Sequence, residues 1–430
     1  MKSIKSLFRI LGPGLISGAA DDDPSGIATY SQGGAQFGLG VSWLALFQYP
    51  LMMAIQEMCA RVGLVTGKGL VGVIKEKYSK KITIFIVGLL LIANTITIGA
   101  DIGAMGSSVQ LIIPKVPTVL ITASFAAFIL FTEVIFSYKR YAKMLKYMTL
   151  ALFSYVITAF VVSGDWSKII WSTLIPHFEL NAGFLMIFLA IFGATISPYA
   201  FFWQASEEAE EDVLKNKIKE IGEGKPRITK KEMRLMRADT AVGMAFSQII
   251  MWFIIIATAN TLHINNITDI QTAAQAAKAL EPLVHNFPDS GKIAEILFAS
   301  GIVGTGLLAI PVLAGSSAYA LSDGFGWKEG LSKKFRQAKG FYLIIIGSTV
   351  IGLWINLVNI DPIKALVYAS IISGIISVPL LVMLLKISND KKVLGSKTNG
   401  LLSNTLVWIT IIILGVSVIV IFAAPLVWKQ

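Results

Sequence analysis

The chain has 430 residues, 55 % of them hydrophobic and only 15 % charged, with a mean hydropathy of +0.70. A soluble chain of this length needs more polar surface to cover its core, so the composition excludes a water-soluble globular domain and indicates an integral membrane protein. A net charge of +11 would suit a nucleic-acid surface, but the placement of the charges, taken up below, excludes that class.

From the N-terminus, Met1 to Arg9 and the apolar stretch behind them superficially resemble a signal peptide. The stretch runs into three aspartates and carries no clean small-residue cleavage site, so it reads as a first membrane segment that is retained. Apolar runs near the roughly 20 residues of a spanning helix then follow one another along the chain. They predict eleven transmembrane helices, at 10–36, 40–63, 82–112, 117–137, 147–164, 182–206, 238–261, 293–321, 341–359, 362–386 and 404–426. With the N-terminus cytoplasmic and the C-terminus outside, 31 of the 37 Lys and Arg fall in cytoplasmic segments. The outer segments hold only Lys115, Lys168, Lys278, Lys292, Lys364 and Lys429. That alternation obeys the positive-inside rule and explains the basic character as topology in a prokaryotic inner membrane, with the bilayer as partner and no nucleic acid. Of the larger connections, the basic run from Lys225 to Arg237 is placed near anionic headgroups, and the stretch from Gln271 to Leu280 predicts a short outer helix.

An ionisable group in the bilayer interior costs about 2.5–3.5 kcal/mol on insertion scales, so each one needs a reason. In the first segment Asp21, Asp22 and Asp23 stand directly before Pro24, with Gly26 two residues on. Proline removes a backbone donor and glycine relaxes the chain, so the helix is expected to unwind there. Carbonyls freed in this way must be satisfied by protein, water or an ion. A solvated helix end is the competing reading, but the apolar sequence resumes at Ile27. The sixth segment offers a counterpart in Gly193, Ala194, Thr195, Ile196, Ser197, Pro198 and Tyr199. One proline merely kinks a helix. Paired interruptions at matching places of two inverted repeats, helices 1–5 and 6–10, instead point to the binding site of a transporter.

The other polar groups are less telling. Asp101 in the third segment either lines the pathway or bonds across helices. Glu57 and Arg61, four apart, read as a structural pair. Glu133 and Glu295 stay unassigned. The acidic run Glu207, Glu208, Glu210, Glu211 and Asp212 reads as a solvated face, with a cation exit funnel as the sharper alternative. Cys59, the only cysteine, reads as a small buried hydrophobe. His177, His263 and His285 all fall in outer connections, which leaves no imidazole in the membrane for a proton relay or soft-metal site. Nothing resembles a nucleophile–base pair or a hydrolase motif, so an enzyme is not expected, nor is any cofactor.

The residues Gly12-Pro13-Gly14, Asp23-Pro24-Ser25-Gly26-Ile27-Ala28-Thr29 and Gly33-Gly34-Ala35-Gln36-Phe37-Gly38 resemble the opening of the Nramp divalent-metal transporters. Ala60-Arg61-Val62-Gly63 and the sixth-segment motif fit the same pattern. The resemblance implies an all-α LeuT-type fold with helices 1 and 6 broken and the ion between the breaks. It implies a ten-helix core at 1–386, in repeats 1–165 and 166–386, followed at 387–430 by a cytoplasmic linker and an additional helix. The departures share one chemical sense. The family's metal-binding Asn becomes Gly26, its Met becomes Ser197 and its His becomes Tyr199. In helix 3 the Asp remains as Asp101 but the Glu position is Ala104, and in helix 10 a Gln becomes Ile371. A thioether favours transition metals, whereas a hydroxyl is a hard ligand.

A wider site with fewer direct ligands suits Mg²⁺, which dehydrates reluctantly. The pattern resembles the Nramp-related magnesium transporters. The expected site is Asp23 as the carboxylate ligand, carbonyls of Ala20 and Ala194, and hydroxyls of Ser197 and Thr195. Gly26 would make room, Asp22 and Asp21 would hold hydration water, and Tyr199 and Asp101 would lie along the pathway. The transported cation would be Mg²⁺ without obligatory proton coupling. Alternatives are a proton-coupled Mn²⁺/Fe²⁺ transporter and a Na⁺-coupled organic-solute symporter.

Overall fold

A computed structural model describes residues 12–135, 152–179, 181–356 and 361–427. Residues 1–11, the connection with Lys139 to Lys146 and the first residues of the segment expected at 147–164 lie outside them. Every regular element among the described residues is a helix, as a chain must be when a bilayer offers its backbone no other partner.

The first apolar segment is two helices, α1 (Pro13–Asp21) and α2 (Pro24–Phe37), with only Asp22 and Asp23 between them. A short turn then bends the chain by 106° into α3 (Trp43–Thr66). After α4 (Leu70–Lys77) come the long α5 (Lys80–Ile112) and then α6 (Thr118–Ile135). Next are α7 (Phe153–Val162) and α8 (Trp166–Leu174). The second broken segment is α9 (Ala182–Thr195) and α10 (Pro198–Leu214), parted by Ile196 and Ser197. The chain continues with α11 (Lys230–Thr258), α12 (Ser290–Phe325), α13 (Lys339–Ile355), α14 (Pro362–Asn389) and α15 (Leu401–Val427).

Most helices lie where the apolar runs place them, and the exceptions have local causes. The seventh segment starts at Lys230 instead of 238, because Thr229 and Glu232 form a reciprocal capping box that begins the helix ahead of its apolar face. Two helices, α4 and α8, lie where the apolar runs leave only connections. Each is too short and too polar on one face to show up as an apolar run. The outer helix expected within 271–280 is present as Ala273–Ala277 followed by a single 3-10 turn.

Burial grades the helices by position. The most apolar stretch of the α9–α10 segment is 89 % buried, that of α15 only 28 %, so the broken helix is central and α15 is peripheral. Around the two broken helices stand α3, α5, α11, α12 and α14: α1 packs on α11, α2 on α11 and α14, α9 on α14, and α10 on α3 and α12. Glu57 and Arg61 form the expected pair at 3.0 Å. Arg237 of α11 also donates to Glu57 at 2.9 Å, and Arg61 reaches the Lys397 carbonyl at 2.7 Å. The pair therefore ties α3 to α11 and to the linker before α15. Cys59 is fully buried, as a small hydrophobe would be.

Candidate metal site

The two breaks face each other at the centre of the bundle, and most of the groups they free are accounted for. Ala20, in the last turn of α1, turns its carbonyl to the hydroxyl of Tyr199, which donates to it at 2.9 Å across the gap. At the second break the Ile196 carbonyl accepts from Ser377 of α14 at 2.6 Å. Ser197 folds its hydroxyl back onto its own helix, within 2.8 Å of the Gly193 carbonyl and 2.7 Å of the Ala194 carbonyl. Thr195 lies 2.9 Å from the Gln48 side-chain oxygen of α3 and 3.0 Å from the Ile191 carbonyl. Ala20, Ala194, Thr195, Ser197 and Tyr199 are thus gathered at one place, each already engaged. The carbonyl and hydroxyl oxygens among them keep lone pairs beyond these bonds, so an ion could share them or draw them away from their present partners.

The carboxylates are different. Asp23 Oδ1 accepts from Ser25 Oγ at 2.6 Å and from the Gly26 amide at 2.7 Å, so Asp23 is the N-cap of α2. Asp21 accepts from Ser247 of α11 at 2.8 Å, and the same hydroxyl lies 3.5 Å from Asp22. One proton cannot serve both. Asp21 Oδ1 and Asp22 Oδ2 are buried with no hydrogen-bond partner among the described residues. Asp101 of α5 is fully buried with both oxygens in the same condition. The four carboxyl groups are buried near one another and no described Lys or Arg forms an ion pair with them, but among the described residues no three of them converge closely enough to hold a metal ion as placed. Buried charge without a partner is among the costliest arrangements a fold can hold, so this is the region where a neutralising group would count most.

Two expectations need correction. Gly26 does not leave a hole: a Cβ there would lie 3.0 Å from the Asp21 carbonyl and 3.2 Å from the Tyr30 ring. Glycine lets the Asp21 carbonyl and the Tyr30 ring close in on this position. Nor is the acidic run after the second break a solvated face, since Glu207, Glu208 and Glu210 are 5–8 % exposed. Glu210 accepts from the Leu331 amide at 3.0 Å, the Ser332 amide at 2.6 Å and the Tyr319 hydroxyl, which also lies 3.2 Å from Glu207. Glu208 accepts from Gln204 at 3.1 Å. These acids clamp α10 to α12 and its following connection. Only Glu211 and Asp212 pair with lysines, Lys215 and Lys217, and Asp212 is itself fully buried.

Reading the residues alone missed Tyr30, Gln48, Ser247 and Ser377. Their one visible signal was being polar inside apolar segments, which many serines and glutamines share. On the side away from the start of α1, a cavity of about 270 Å³ opens between α2, α9 and α14, lined by Gln32, Gln36, Met186, Asp269, Lys364 and Ile371 among others. Ile371, the position where the resemblance implied a lost polar group, is thus in the wall of this vestibule.

Comparison with known proteins bears on the family and the fold. A divalent metal cation transporter, MntH, of Caldanaerobacter subterraneus subsp. tengcongensis is 25 % identical over 399 residues, covering 90 % of this chain and 86 % of that one. A natural resistance-associated macrophage protein 2 homolog of Dictyostelium discoideum is 27 % identical over 308 residues, or 70 % of this chain and 46 % of its own length. Among solved structures, the manganese transporter of Eremococcus coleocola superposes with a TM-score of 0.74 at 17 % identity, covering 99 % of this chain and 89 % of that one. MhsT in complex with L-phenylalanine shares the architecture more distantly, with a TM-score of 0.59 at 10 % identity over 96 % of this chain and 97 % of its own. Residues 14–423 match the model of the natural resistance-associated macrophage protein-like family, and the chain therefore belongs to the Nramp family.

Proposed function

We propose that this chain carries a divalent metal cation across the inner membrane by alternating access, and that its cargo is partly hydrated Mg²⁺. The observation that carries the reading is the donor set at the breaks. Asp21, Asp22, Asp23, Asp101, Thr195, Ser197 and the Ala20 and Ala194 carbonyls are all hard oxygens, and three of the carboxyl groups have oxygens with no described partner. Hard oxygens arranged around retained water suit Mg²⁺, and carboxylates beyond direct reach can bind the water shell. On arrival the ion would draw the Ala20 carbonyl from Tyr199 and the Ala194 carbonyl from Ser197, while Asp23 supplies charge. Asp21 and Asp22, steered by Ser247, would hold the hydration water on the α11 side.

Proton coupling is not required. Ala104 and Tyr199 stand where the resemblance places titratable groups. The membrane potential supplies about 2.3 kcal/mol per charge per 100 mV, hence about 4.6 for a divalent ion, enough for more than roughly a thousandfold accumulation. The eleven crossings, the cytoplasmic N-terminus and the repeats 1–165 and 166–386 belong to this reading, supported by the distribution of Lys and Arg.

The test is ion flux in proteoliposomes carrying an interior pH dye. Mg²⁺ uptake without acidification is expected; Mn²⁺ uptake accompanied by protons, with Mg²⁺ neither entering nor competing, would overturn the proposal. One observation favours that second reading. A Cβ on Gly306 would lie 2.5 Å from the Met105 sulfur and 3.3 Å from Pro24, so a thioether stands beside the first break. If Mn²⁺ is the cargo and Met105 its soft ligand, Met105→Leu will depress Mn²⁺ flux and leave Mg²⁺ untouched.

A further inference from the structure

Helix α1 lacks a cap of its own. Its N-cap residue is Gly12, which has no side chain to offer, and Pro13 follows. The missing acceptor comes from another helix. Both carboxylate oxygens of Asp239 on α11 receive α1 amides, Oδ1 from Gly12 at 3.0 Å and Oδ2 from Gly14 at 2.7 Å. Charge-assisted bonds of this kind are about twice as strong as neutral ones. Below them the two helices meet main chain to main chain. A Cβ on Gly14 would lie 2.6 Å from the Thr240 nitrogen, on Gly18 2.1 Å from the Gly243 oxygen, and on Gly243 2.1 Å from the Gly14 oxygen. A second strap crosses to the other broken helix, where Ser17 donates to Gln204 at 2.6 Å and Gln204 to Glu208.

We infer that Asp239 is the latch of the cytoplasmic gate, a positioning residue that holds α1 shut against α11. The inference rests on the alternating-access reading. α1 is the half-helix between the metal site and the cytoplasmic surface, and it ends at the break. Any motion that opens the site on that side by moving α1 off α11 must break both Asp239 bonds and part the glycine seam. The seam itself is smooth: without side chains there is nothing to interdigitate, so its contact is lost in one step, and once the latch is off the backbone packing and the Ser17–Gln204 strap are what still hold α1. Glu208 and Glu211 are the acidic neighbours of Asp239. A released Asp239 therefore joins an acidic wall beside the path along which a cation would leave.

The test uses the full-length protein with its lone buried cysteine replaced, Cys59→Ala. Reporter cysteines are placed singly at Thr240→Cys, under α1, and at Met186→Cys, in the wall of the opposite vestibule. Each is labelled with a membrane-impermeant maleimide in right-side-out and inverted vesicles. With Asp239→Ala, Thr240→Cys labelling from the cytoplasmic side is expected to rise by about tenfold or more, since at least one charged hydrogen bond is lost. Met186→Cys labelling from outside should fall in the same preparation. The KM for external cation should rise as the outward-facing population falls, and Asp239→Asn, which keeps one acceptor oxygen, should lie between. Labelling that rises at both positions would mean general loosening, and labelling that moves at neither would mean a passive contact; either overturns the latch. Labelling needs no transported ion, so failure of the Mg²⁺ reading leaves this test intact.

Discussion

The two breaks look alike in sequence and are built to different ends. Each is two residues long and each second half starts on proline, at Pro24 and Pro198. At the first, the residue before the proline caps the helix in front of it: Asp23 reaches forward to Gly26. At the second, Ser197 reaches backward, to Gly193 and Ala194, and leaves α10 without a side-chain cap. The first break concentrates carboxylates whose oxygens are short of partners, while the second supplies neutral groups that are fully engaged. Similar interruptions thus differ in chemistry, one carrying charge and the other carrying neutral, hydrogen-bonded groups.

The sharpest way to break this comparison is Asp23→Asn. Asn caps a helix about as well as Asp, so the fold of α2 should survive while the charge is lost. We expect cation flux in proteoliposomes to drop roughly a hundredfold, as for removal of a buried charged partner, with the melting temperature little changed. Near-normal flux would reduce Asp23 to a cap. At the second break, Ser197→Met should move preference toward Mn²⁺ or Cd²⁺ on the order of tenfold in competition assays, the scale on which a metal's immediate surroundings act. Unchanged selectivity would remove Ser197 from the site.

Tyr199→Phe deletes the one bond that spans both breaks. If the hydroxyl competes with the ion for the Ala20 carbonyl, losing a net hydrogen bond of about 1 kcal/mol should lower KM about fivefold. A raised KM would show instead that the bond assembles the site. Gly26→Ala should have the smallest effect, roughly threefold or less in flux, because the Tyr30 ring must yield only a few tenths of an ångström. A larger loss would mean that Tyr30 is fixed.

What was legible in the sequence follows the range of the interactions. The breaks could be read because proline and glycine act on their own few residues, and the helices because apolar runs have a required length. The pairings Tyr199 with Ala20, Ser377 with Ile196 and Ser247 with Asp21 join residues nearly two hundred or more positions apart. No local pattern announces them. The acidic run after the second break misled for a related reason: such a run at a helix end is ordinarily solvated, and only α12 and the connection behind it, brought alongside by the fold, bury it. Gly26 was identified as special but its role was misjudged, because a missing side chain says nothing about what fills its place.

The way the half-helices point has an electrostatic consequence. A helix carries about half a negative charge at its C-terminal end and half a positive charge at its N-terminal end. Both α1 and α9 turn C-terminal ends toward the gap, and α1 adds Asp21 and Asp22 to its negative pole instead of the cations usual there. The positive pole of α2 is masked by Asp23, while that of α10 has no acidic residue in its first turn. The field across the gap is therefore lopsided, deepest beside α1 and α2 and shallow beside α10. On the reading proposed above, a cation in the gap would sit off-centre, on the side of the half-helix held by Asp239.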